Sequence, residues 1–527
     1  MAAKKPFYIT TAISYVNGSP HLGHAYEVIL TDVMARFKRL DGYDVMFLTG
    51  TDEHGEKVAK TAEKNNMSPQ DFADKNAAEF VEMAKFLNIS NDDFIRTTEK
   101  RHYAASQALW RKLEEAGDIY LGKYEGWYSV REEAYFTDSE LKEGPDGAKL
   151  SPNGTEVKWV KEESYFFKLS KYRDELLAYY KSHPDFITPT TRANEIISFV
   201  SQEGGLKDLS ISRHKDRLTW GIPVPGDDNH VMYVWLDALT NYMTAIGYPE
   251  TDSGAFKKFW PADYHVIGKD IIRFHAVYWP AFLMSAGIEI PKRIFAHGFI
   301  NVQGEKMSKS VGNVMAPAAL IETYGLDNIR YFLMREIPHG QDGNFSHEQA
   351  VQRINADLAN GIGNLAQRTL SMIHKNCDAA FPAPNEMNAD DKALLAAARE
   401  NLLAAVRSNL DELKFHRALE EIMKAVSLAD GYVDAQAPWT LKKENPERMK
   451  TVLYVLAECI RCLGIFMQPV TPAAAAKILD QLKVPQGERQ FVHIDAQYAL
   501  KPGTAIDKPE GVFPRIVEES EQQKAAG

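Results

Sequence analysis

The sequence predicts an α/β protein with a Rossmann-like, doubly wound parallel catalytic domain that is split by an inserted β-rich domain and followed by an α-helical bundle. Three observations support this fold class. Apolar runs typical of buried strands alternate with helical patterns in the first and middle parts of the chain. Aromatic-rich segments with Gly, Pro and Asn turn signals interrupt that alternation. Strand signals nearly disappear after Asp357, where long helical periodicity takes over.

The first half of the parallel sheet is predicted within residues 1–117. An apolar run at 7–12 predicts a strand, and a second run at 45–50 ends in the polar turn 51–55. Between them, apolar residues recur at helical steps: Ala25, Val28, Ile29, Val33, Phe37 and Leu40. Because this helix begins directly after a strand and a loop, its N-terminus is a predicted anion-binding site.

The rest of the chain divides where its texture changes. Residues 118–225 predict the inserted domain, with turn signals at 144–147 and 153–154 between short strands. Residues 226–300 return to the α/β pattern, with predicted strands at 231–235, 265–268 and 294–298. Residues 301–356 contain a basic turn. Residues 357–527 predict a helical domain onto which the apolar segment near 511–514 docks.

Composition predicts a cytoplasmic protein without a membrane segment. No apolar run approaches the length of a membrane span, and the N-terminus lacks a signal-peptide pattern. The 3 cysteines are too few for a disulfide framework, and we interpret Cys459 and Cys462 as helix packing, not as a redox or metal pair. A net charge of -11 argues against a broad basic nucleic-acid footprint, but a locally neutral face can still read unstacked bases.

Two short motifs far apart in the chain predict a nucleoside triphosphate site. In His21-Leu22-Gly23-His24, two imidazoles share one face of the helix start, and the glycine permits close approach of a base or ribose. The second motif, residues 306–310, offers mobile positive charge and hydroxyl donors on a loop. Taken alone, the first motif is also compatible with a structural pair or weak metal site, and the second with solvated surface.

The co-occurrence of His21-Leu22-Gly23-His24 and Lys306-Met307-Ser308-Lys309-Ser310 resembles the HxGH and KMSKS signatures of class I aminoacyl-tRNA synthetases. The resemblance implies ATP with Mg²⁺, and donors that meet the charge developing at the α-phosphorus. It implies catalytic roles for His21, His24, Lys306 and Lys309. It implies an ATP site formed by Tyr15, Gly23, Asp270, Ser308 and Lys309, with Asp270 at the ribose.

Further segments are similar to the methionyl-tRNA synthetase family over nearly the whole chain. They are the run 12–18, Trp235-Leu236-Asp237-Ala238 with Tyr242, and Gly268-Lys269-Asp270 with Phe274-His275. This resemblance implies a methionine site formed by Ala12, Ile13, Tyr15, Asp52, Arg213, Trp235, Leu239, Tyr242, Ile271, Phe274 and His275. Asp52 and Arg213 would hold the amino end of the substrate and the ATP.

An aromatic pocket suits methionine on chemical grounds. The thioether gains about 0.3 to 1.5 kcal/mol from contact with an aromatic ring and accepts hydrogen bonds only weakly. His275 or the hydroxyl of Tyr15 is the expected donor to the sulfur. Each of these aromatic residues taken alone is more typical of a protein core than of a ligand pocket.

The same resemblance implies that tRNA(Met), including the initiator, is the partner, and that Asn364, Arg368 and Trp439 read its anticodon. Asn364 and Arg368 share one predicted helix face, and Trp439 follows Pro438 on a predicted exposed loop. Unstacked bases are recognised by stacking and by hydrogen bonds to their edges. A helix cap and a surface ion pair remain the alternative interpretation of Asn364 and Arg368.

The sequence departs from the family pattern in three places. Residues 124–136, where many relatives carry cysteine-rich zinc knuckles, contain no cysteine, so no zinc or other metal site is expected. Leu239-Thr240-Asn241 stands where some relatives have proline and glycine. An appended tRNA-binding domain that dimerises some relatives is not expected here, which favours a monomer.

The resemblance implies that the protein activates L-methionine with ATP to its adenylate and then transfers the methionyl group to the 3′ end of tRNA(Met). Two other functions stay open. A smaller nucleotidyltransferase with an HxGH motif would adenylylate its substrate without a helical C-terminal third. A non-catalytic tRNA-binding paralogue would keep that third but lose the histidines or lysines, which are present in this chain.

Overall fold

The structure is a computed structural model that describes residues 4–132, 134–136, 138–144, 147–202, 206–252, 254–307 and 312–517. The chain forms two compact units. The first consists of Pro6–Thr31 and Val45–His297. The second consists of the described residues of Met1–Lys5, Asp32–Asp44 and Gly298–Gly527. None of the described helices is both long and apolar enough to cross a membrane.

The first unit combines short strands and helices that alternate along the chain. Its strands are β1 (Pro6–Thr11), β2 (Ser14–Tyr15), β3 (Asp44–Asp52), β4 (Asp93–Arg96), β5 (Ile119–Ser129), β6 (Ala134–Phe136), β7 (Lys142–Glu143), β8 (Lys149–Leu150), β9 (Lys158–Phe167), β10 (Ile187–Thr188), β11 (Leu209–Ser210), β12 (Ser212–His214), β13 (Pro223–Val224), β14 (Asp227–Met232), β15 (Tyr264–Gly268) and β16 (Ile294–His297). Its helices are α1 (Leu22–Leu40), of which only the part up to Thr31 belongs to this unit, α2 (Glu56–Lys64), α3 (Pro69–Phe86), α4 (Lys100–Glu115), α5 (Arg173–Ser182), α6 (Thr190–Ser201), α7 (Val234–Thr244), α8 (Gly254–Phe259) and α9 (Trp279–Ala286).

The central sheet of this unit has 7 strands in the order β10-β16-β15-β1-β3-β2, and β4 also pairs with β3. β1 pairs with β15, β15 with β16, and β2 with β3, all in parallel. Consecutive parallel strands need helical crossovers, and α1 follows β2 as the sequence pattern predicted. The carboxyl ends of β1, β3, β15 and β16 therefore meet at one edge, where a doubly wound sheet binds its ligands.

One predicted strand, residues 231–235, is wrong in its extent. β14 ends at Met232, and α7 begins at Val234. Every residue of α7 except Trp235 is buried, so this helix has no polar face to produce a helical period in the sequence. An apolar run of this length does not distinguish a strand from the start of a buried helix.

The inserted β-rich part forms a separate antiparallel sheet in the order β11-β9-β5-β6. The predicted strands were short, but β5 has 11 residues and β9 has 10, and they pair along almost their whole length. Trp127 lies opposite Trp159 in this pairing, with ring centroids 5.2 Å apart. Aromatic cross-strand pairs of this kind stabilise a small antiparallel sheet.

The second unit is mainly helical, as the sequence predicted. Its strands are β17 (Ile300–Val302), β18 (Glu305–Lys306) and β19 (Gly343–Phe345). Its helices are α10 (Pro317–Tyr324), α11 (Leu326–Glu336), α12 (His347–Arg353), α13 (Asn364–Asn376), α14 (Ala389–Ala396), α15 (Leu402–Asp411), α16 (Phe415–Gln436), α17 (Pro438–Glu444), α18 (Pro446–Met467) and α19 (Pro472–Gln481). Turns of π-helix occupy Ile354–Gly363 and Ala397–Asn401.

Helix α18 is the core of the helical domain, since it is buried without interruption from Thr451 to Met467. Cys459 and Cys462 both lie in this buried stretch as free thiols, which confirms their interpretation as helix packing. The carboxylate of Glu458 is also buried, and it accepts hydrogen bonds from Nε of Arg461 at 2.9 Å and Nη2 of Arg399 at 2.7 Å. A buried charge is tolerated when it is paired in this way.

The C-terminal segment docks onto the helical domain, as its apolar character predicted. Phe513 is buried. The amide and carbonyl of Ile516 each form a 2.9 Å hydrogen bond with the side chain of Asn355. Residues 518–527, predicted to fray, lie outside the described part of the chain.

Candidate active site

His21 and His24 are brought together at the start of α1. Their rings stack with centroids 3.9 Å apart and an angle of 24° between their planes. The backbone N–H of His21 donates to Nδ1 of His24 at 3.2 Å, and the N–H of Gly23 donates to Nδ1 of His21 at 3.1 Å. These bonds engage the Nδ1 atoms, so each ring has Nε2 as its second hydrogen-bonding position.

The histidine pair lies at a helix N-terminus in a partly apolar setting. The ring of His24 contacts the edge of Phe80 at 5.1 Å between centroids. Burial lowers the pKa of His24 well below its usual value, and the charge of His21 adds to the effect. His24 is therefore neutral near pH 7 and can donate a hydrogen bond without contributing a full positive charge.

The structure gives a reason for glycine at position 23 that the sequence did not reveal. A Cβ atom at this position would lie 2.9 Å from Cε1 and 3.1 Å from Nδ1 of the His21 ring. The close approach that glycine permits is thus that of the neighbouring imidazole. The approach of a base or ribose, predicted from the sequence, stays a prediction.

Tyr15 and Asp52 lie side by side at the carboxyl edge of the parallel sheet. They are register partners between β2 and β3, and the N–H of Val16 donates to the carbonyl of Asp52 at 3.2 Å. Nζ of Lys57 lies 5.5 Å from the centroid of the Tyr15 ring. Asp52 is buried, so its carboxylate is a suitable partner for an ammonium group that enters from this edge.

The apolar residues of the predicted methionine site belong to one hydrophobic cluster. Ala12, Leu239 and Tyr242 are buried members of it. Ile13, Tyr15, Trp235, Ile271 and Phe274 pack against it while remaining partly exposed. The rings of Trp235 and Phe274 stack 3.7 Å apart and are nearly parallel, at 6°. Partly exposed aromatic rings beside buried apolar residues are the surroundings expected at a binding site for an apolar side chain.

Tyr242 and His275, two residues of the predicted methionine site, form a hydrogen-bonded pair. Nδ1 of His275 lies 3.0 Å from the carbonyl oxygen of Ile271, which can only accept, so Nδ1 carries the proton. Burial lowers the pKa of His275 to about 4, so the ring is neutral and Nε2 is an acceptor. The hydroxyl of Tyr242 donates to it at 2.7 Å.

This geometry corrects part of the sequence analysis. Both ring nitrogens of His275 are occupied, and the hydroxyl proton of Tyr242 is used between them. His275 therefore has no N–H to offer a methionine sulfur in this arrangement, and Tyr15 stays the candidate donor. Sequence alone could not distinguish the two, because the residues that occupy His275 are set by the fold.

A π-helical turn at Phe274–Tyr278 positions Phe274 and His275. The cause lies in the following helix, where Pro280 has no N–H to donate to the carbonyl of Ala276. The hydroxyl of Tyr180 donates to that carbonyl instead, at 2.6 Å. Single π turns of this kind frequently occur at functional sites.

Arg213 lies on β12 and is buried. Its Nη1 donates to the hydroxyl of Ser210 at 3.1 Å and to the carbonyl of Ser212 at 2.6 Å. The guanidinium also lies 5.2 Å from the ring centroid of Tyr128 and 4.7 Å from that of Tyr233. These contacts fix the position of the buried guanidinium. The predicted role of Arg213 in substrate binding stays a prediction.

Asp270 follows β15 at the carboxyl edge, and the structure adds two neighbours that the sequence analysis missed. Nε2 of His297, at the end of β16, donates to the carboxylate of Glu27 at 2.9 Å. Burial raises the pKa of Glu27 against the opposing hydrogen bond of His297, and the charge of Asp270 raises it further. In the sequence, this pair was visible only as a histidine at the end of a predicted strand, His297, and an acidic residue one helical turn after His24, Glu27.

The basic motif is described only at its beginning. Lys306 ends β18, and its Nζ lies 4.6 Å from the ring centroid of Phe299. Its carbonyl accepts a hydrogen bond from Nδ2 of Asn313 at 3.3 Å. Ser308 and Lys309 lie outside the described residues. The joint action of this motif with His21 and His24 stays a prediction.

The predicted anticodon residues are brought together in the second unit. Asn364 and Arg368 lie on α13, and the guanidinium carbon of Arg368 is 5.9 Å from the ring centroid of Trp439. Trp439 is 48% exposed, as predicted, but it stands in the first turn of α17 and not on a loop. Pro438 at the first position of that helix explains the error, since proline is favoured there as well as in loops.

Comparison with known proteins agrees with this arrangement. A family model described as tRNA synthetases class I (M) matches residues 7–370. A second model, described as the anticodon binding domain of methionyl tRNA ligase, matches residues 381–526. The parallel sheet, the helix that carries the HxGH motif and the helical domain are those of a class I aminoacyl-tRNA synthetase.

Individual relatives give the particular family. Methionine–tRNA ligase from Mesorhizobium japonicum is 59% identical over 517 residues, which cover 98% of this chain and 99% of that one. The enzyme from Brucella suis is 56% identical over 520 residues, covering 99% and 100%. A solved structure of Mycobacterium tuberculosis methionyl-tRNA synthetase in complex with methionyl-adenylate has a TM-score of 0.94 and 55% identity, covering 97% of this chain and 100% of that one. The chain belongs to the methionine–tRNA ligase family.

Proposed function

We propose that this protein performs the reaction of its family through the residues described above. L-Methionine is activated with ATP to methionyl-adenylate, and the methionyl group is then transferred to the 3′ end of tRNA(Met), including the initiator. The observation that carries the proposal is the stacking of the partly exposed Trp235 and Phe274, 3.7 Å apart, against the hydrophobic core that contains Ala12, Leu239 and Tyr242. These side chains offer an apolar, aromatic surface of the kind that suits a long thioether.

In the first step, a carboxylate oxygen of methionine attacks the α-phosphorus of ATP and pyrophosphate leaves. Asp52 accepts the ammonium group, so the carboxylate is directed away from it. The stacked His21 and His24 donate hydrogen bonds to the phosphate oxygens. Because His24 is neutral, Lys306 and Lys309 are proposed to supply positive charge that the histidine pair does not.

ATP brings its own counter-ion in this proposal. Within the described residues, no group of three His, Cys, Asp or Glu side chains is arranged to hold a metal ion. Mg²⁺ generally binds through substrate phosphates and one or two carboxylates, so residues of this site fit it as a companion of the triphosphate. When bound, it neutralises phosphate charge. We propose no zinc.

In the second step, a terminal ribose hydroxyl of the tRNA takes the methionyl group from the adenylate, and AMP leaves. Asn364, Arg368 and Trp439 are proposed to read the unstacked anticodon, with the indole as a stacking surface and the guanidinium and amide as donors. We further propose that the protein acts in the cytoplasm as a monomer, and that the division at residues 117, 225, 300 and 356 separates its functional parts.

The test is methionine-dependent ATP–pyrophosphate exchange, measured with each standard amino acid, followed by aminoacylation of tRNA(Met). We expect exchange with methionine alone and charging of tRNA. A nucleotidyltransferase without tRNA activity would exchange pyrophosphate but charge no tRNA. A non-catalytic paralogue would do neither, and either result would contradict the proposal.

A further inference from the structure

Asp237 is a fully buried carboxylate that has no role in the mechanism so far. It belongs to the run Trp235-Leu236-Asp237-Ala238 on α7. Its Oδ2 lies 2.6 Å from Nδ1 of His54, and its Oδ1 lies 2.7 Å from Nε2 of His102. Side chains of all three residues are at most 1% exposed. Each carboxylate oxygen therefore has an imidazole as its partner.

The His54 side of this network leads to the amino end of the proposed methionine site. His54 follows Asp52 by two residues, in the turn between β3 and α2. Its Nε2 lies 3.1 Å from the hydroxyl of Tyr103, and its ring packs against Trp220 with centroids 5.2 Å apart. The indole N–H of Trp220 donates to the carbonyl of Glu53 at 2.6 Å. Trp220 therefore contacts both Glu53 and His54, the two residues that directly follow Asp52.

The His102 side leads to the thioether end. His102 lies on α4, and its Nδ1 is 3.0 Å from the hydroxyl of Thr244, the last residue of α7. One imidazole therefore contacts α7 at Asp237 and again two turns later. Trp235 precedes Asp237 by two residues, and Tyr242 lies between the two contacts, so the rotation and position of both pocket residues are held by this histidine.

Because Asp237 is charged, displacing its hydrogen-bond donors costs more free energy than displacing neutral packed side chains would. Burial acts to raise the pKa of this carboxyl, but the charge and hydrogen bonds of His54 and His102 outweigh it and lower the pKa below its usual value. An ionised carboxylate in a dry interior is tolerated only while its donors are in place. A small displacement of α7 relative to the turn at His54 is therefore costly.

We propose that Asp237 is the positioning residue of the methionine site, because it ties the turn that directly follows Asp52 to the helix that bears Trp235 and Tyr242. It fixes the distance between the group that binds the ammonium and the wall that binds the thioether, and so sets the length of amino acid that fits. This inference rests on the proposed function. Asp237 acts through its neighbours and does not itself touch substrate.

The test is Asp237→Asn, assayed by ATP–pyrophosphate exchange. Asparagine keeps the volume and one acceptor but loses the charge that both imidazoles share. We expect the KM for methionine to rise about tenfold or more, and the KM for ATP to change less than about twofold. An unchanged KM for methionine, or an equal rise of both constants, overturns the inference.

Asp118→Asn is the matched control for general destabilisation. Asp118 is also a buried carboxylate with several donors, among them Nζ of Lys171 at 2.8 Å and the hydroxyl of Ser285 at 2.8 Å. It lies outside the proposed site. We expect this variant to lower the melting temperature while leaving the KM for methionine within about twofold of wild type. A rise equal to that of Asp237→Asn assigns the effect to stability and overturns the inference.

If Asp237→Asn does not fold, Thr244→Val replaces it. This change keeps the buried volume and removes the hydroxyl that contacts Nδ1 of His102 and also donates to the carbonyl of Thr240 at 3.1 Å. We expect a smaller rise in the KM for methionine, about threefold, with the KM for ATP unchanged. No change in their ratio overturns the inference. Wild-type protein that shows no methionine-dependent exchange would instead refute the proposed function, so the two failures are distinguishable.

Discussion

The hydroxyl of Tyr242 donates a hydrogen bond to Nε2 of His275 across 2.7 Å, and both side chains are buried. This bond fixes the tautomer of His275, because the other ring nitrogen, Nδ1, donates to the carbonyl of Ile271. A polar pair that is satisfied internally presents an apolar surface to its surroundings. That surface suits a thioether better than a wall with unsatisfied donors would.

Tyr242→Phe should weaken methionine binding. The change leaves Nε2 of His275 without its donor, and methionine that packs against this ring would have to exclude water from the nitrogen, which costs about 1 to 3 kcal/mol. We expect the KM for methionine in ATP–pyrophosphate exchange to rise about 5- to 150-fold, with less effect on the KM for ATP. Tyr324→Phe is the control, since it removes a comparable bond to His347 in the second unit. If both variants raise the KM for methionine equally, the assignment of Tyr242 to the pocket is wrong.

Acidification should destabilise the protein through His275. Burial lowers its pKa in the folded state to about 4, whereas a histidine in the unfolded chain titrates near 6.5. Between these values the unfolded chain binds more protons, so the free energy of unfolding falls as the pH is lowered from about 6.5 to about 4. The contribution is present above the unfolded pKa and amounts to on the order of 3 kcal/mol.

Urea unfolding at several pH values within that window measures this effect. His275→Gln should have a shallower dependence of unfolding free energy on pH than the wild type. Part of the dependence should remain, because burial also lowers the pKa of His24 and His265. Identical slopes for variant and wild type would show that His275 is not held neutral by the fold.

Gly23→Ala should displace the His21 ring. The added Cβ would lie 2.9 Å from Cε1 of that ring, closer than atoms normally approach. We expect the kcat of pyrophosphate exchange to fall about tenfold or more, because a misplaced donor no longer meets the developing charge, while the KM for methionine stays nearly constant. Gly431→Ala, at a helical position where an added Cβ has no contact within 4 Å, should leave the kcat unchanged. Comparable rates for Gly23→Ala and wild type would contradict the role of the stacked pair.

Trp439→Ala should separate the two steps of the reaction. Loss of a base-stacking surface costs about 1 to 3 kcal/mol, so kcat/KM for tRNA should fall about 5- to 150-fold. ATP–pyrophosphate exchange should be unaffected. Val492→Ala, another exposed apolar residue of the second unit, should change neither assay. An equal loss of exchange and charging in Trp439→Ala would refute its assignment to the anticodon.

Periodicity and apolar content within short stretches of sequence predicted several individual elements of this protein. The strand before His21, the helix after it and the docking of residues 511–514 were all recognised from periodicity and apolar content. Buried helices were harder, since α7 has no polar face and its first residues resemble a strand.

Pairings across the fold could not be predicted. Glu27 meets His297, and Asp237 meets both His54 and His102, at separations of 270, 183 and 135 residues. No periodicity connects such residues, because their proximity is a property of the sheet order. The choice between His275 and Tyr15 as sulfur donor was left open for the same reason, since the hydrogen bond from Tyr242 to His275 joins two different helices.

The docked C-terminal segment has a consequence for handling the protein. A side chain at Gly363 would collide with the carbonyl of Leu358 at 2.7 Å and would also press on Phe513 at 3.2 Å. The segment at Phe513 therefore packs against the beginning of α13, the helix that carries Asn364 and Arg368. Truncation before Phe513 would remove this contact and loosen the start of the helix that carries Asn364 and Arg368.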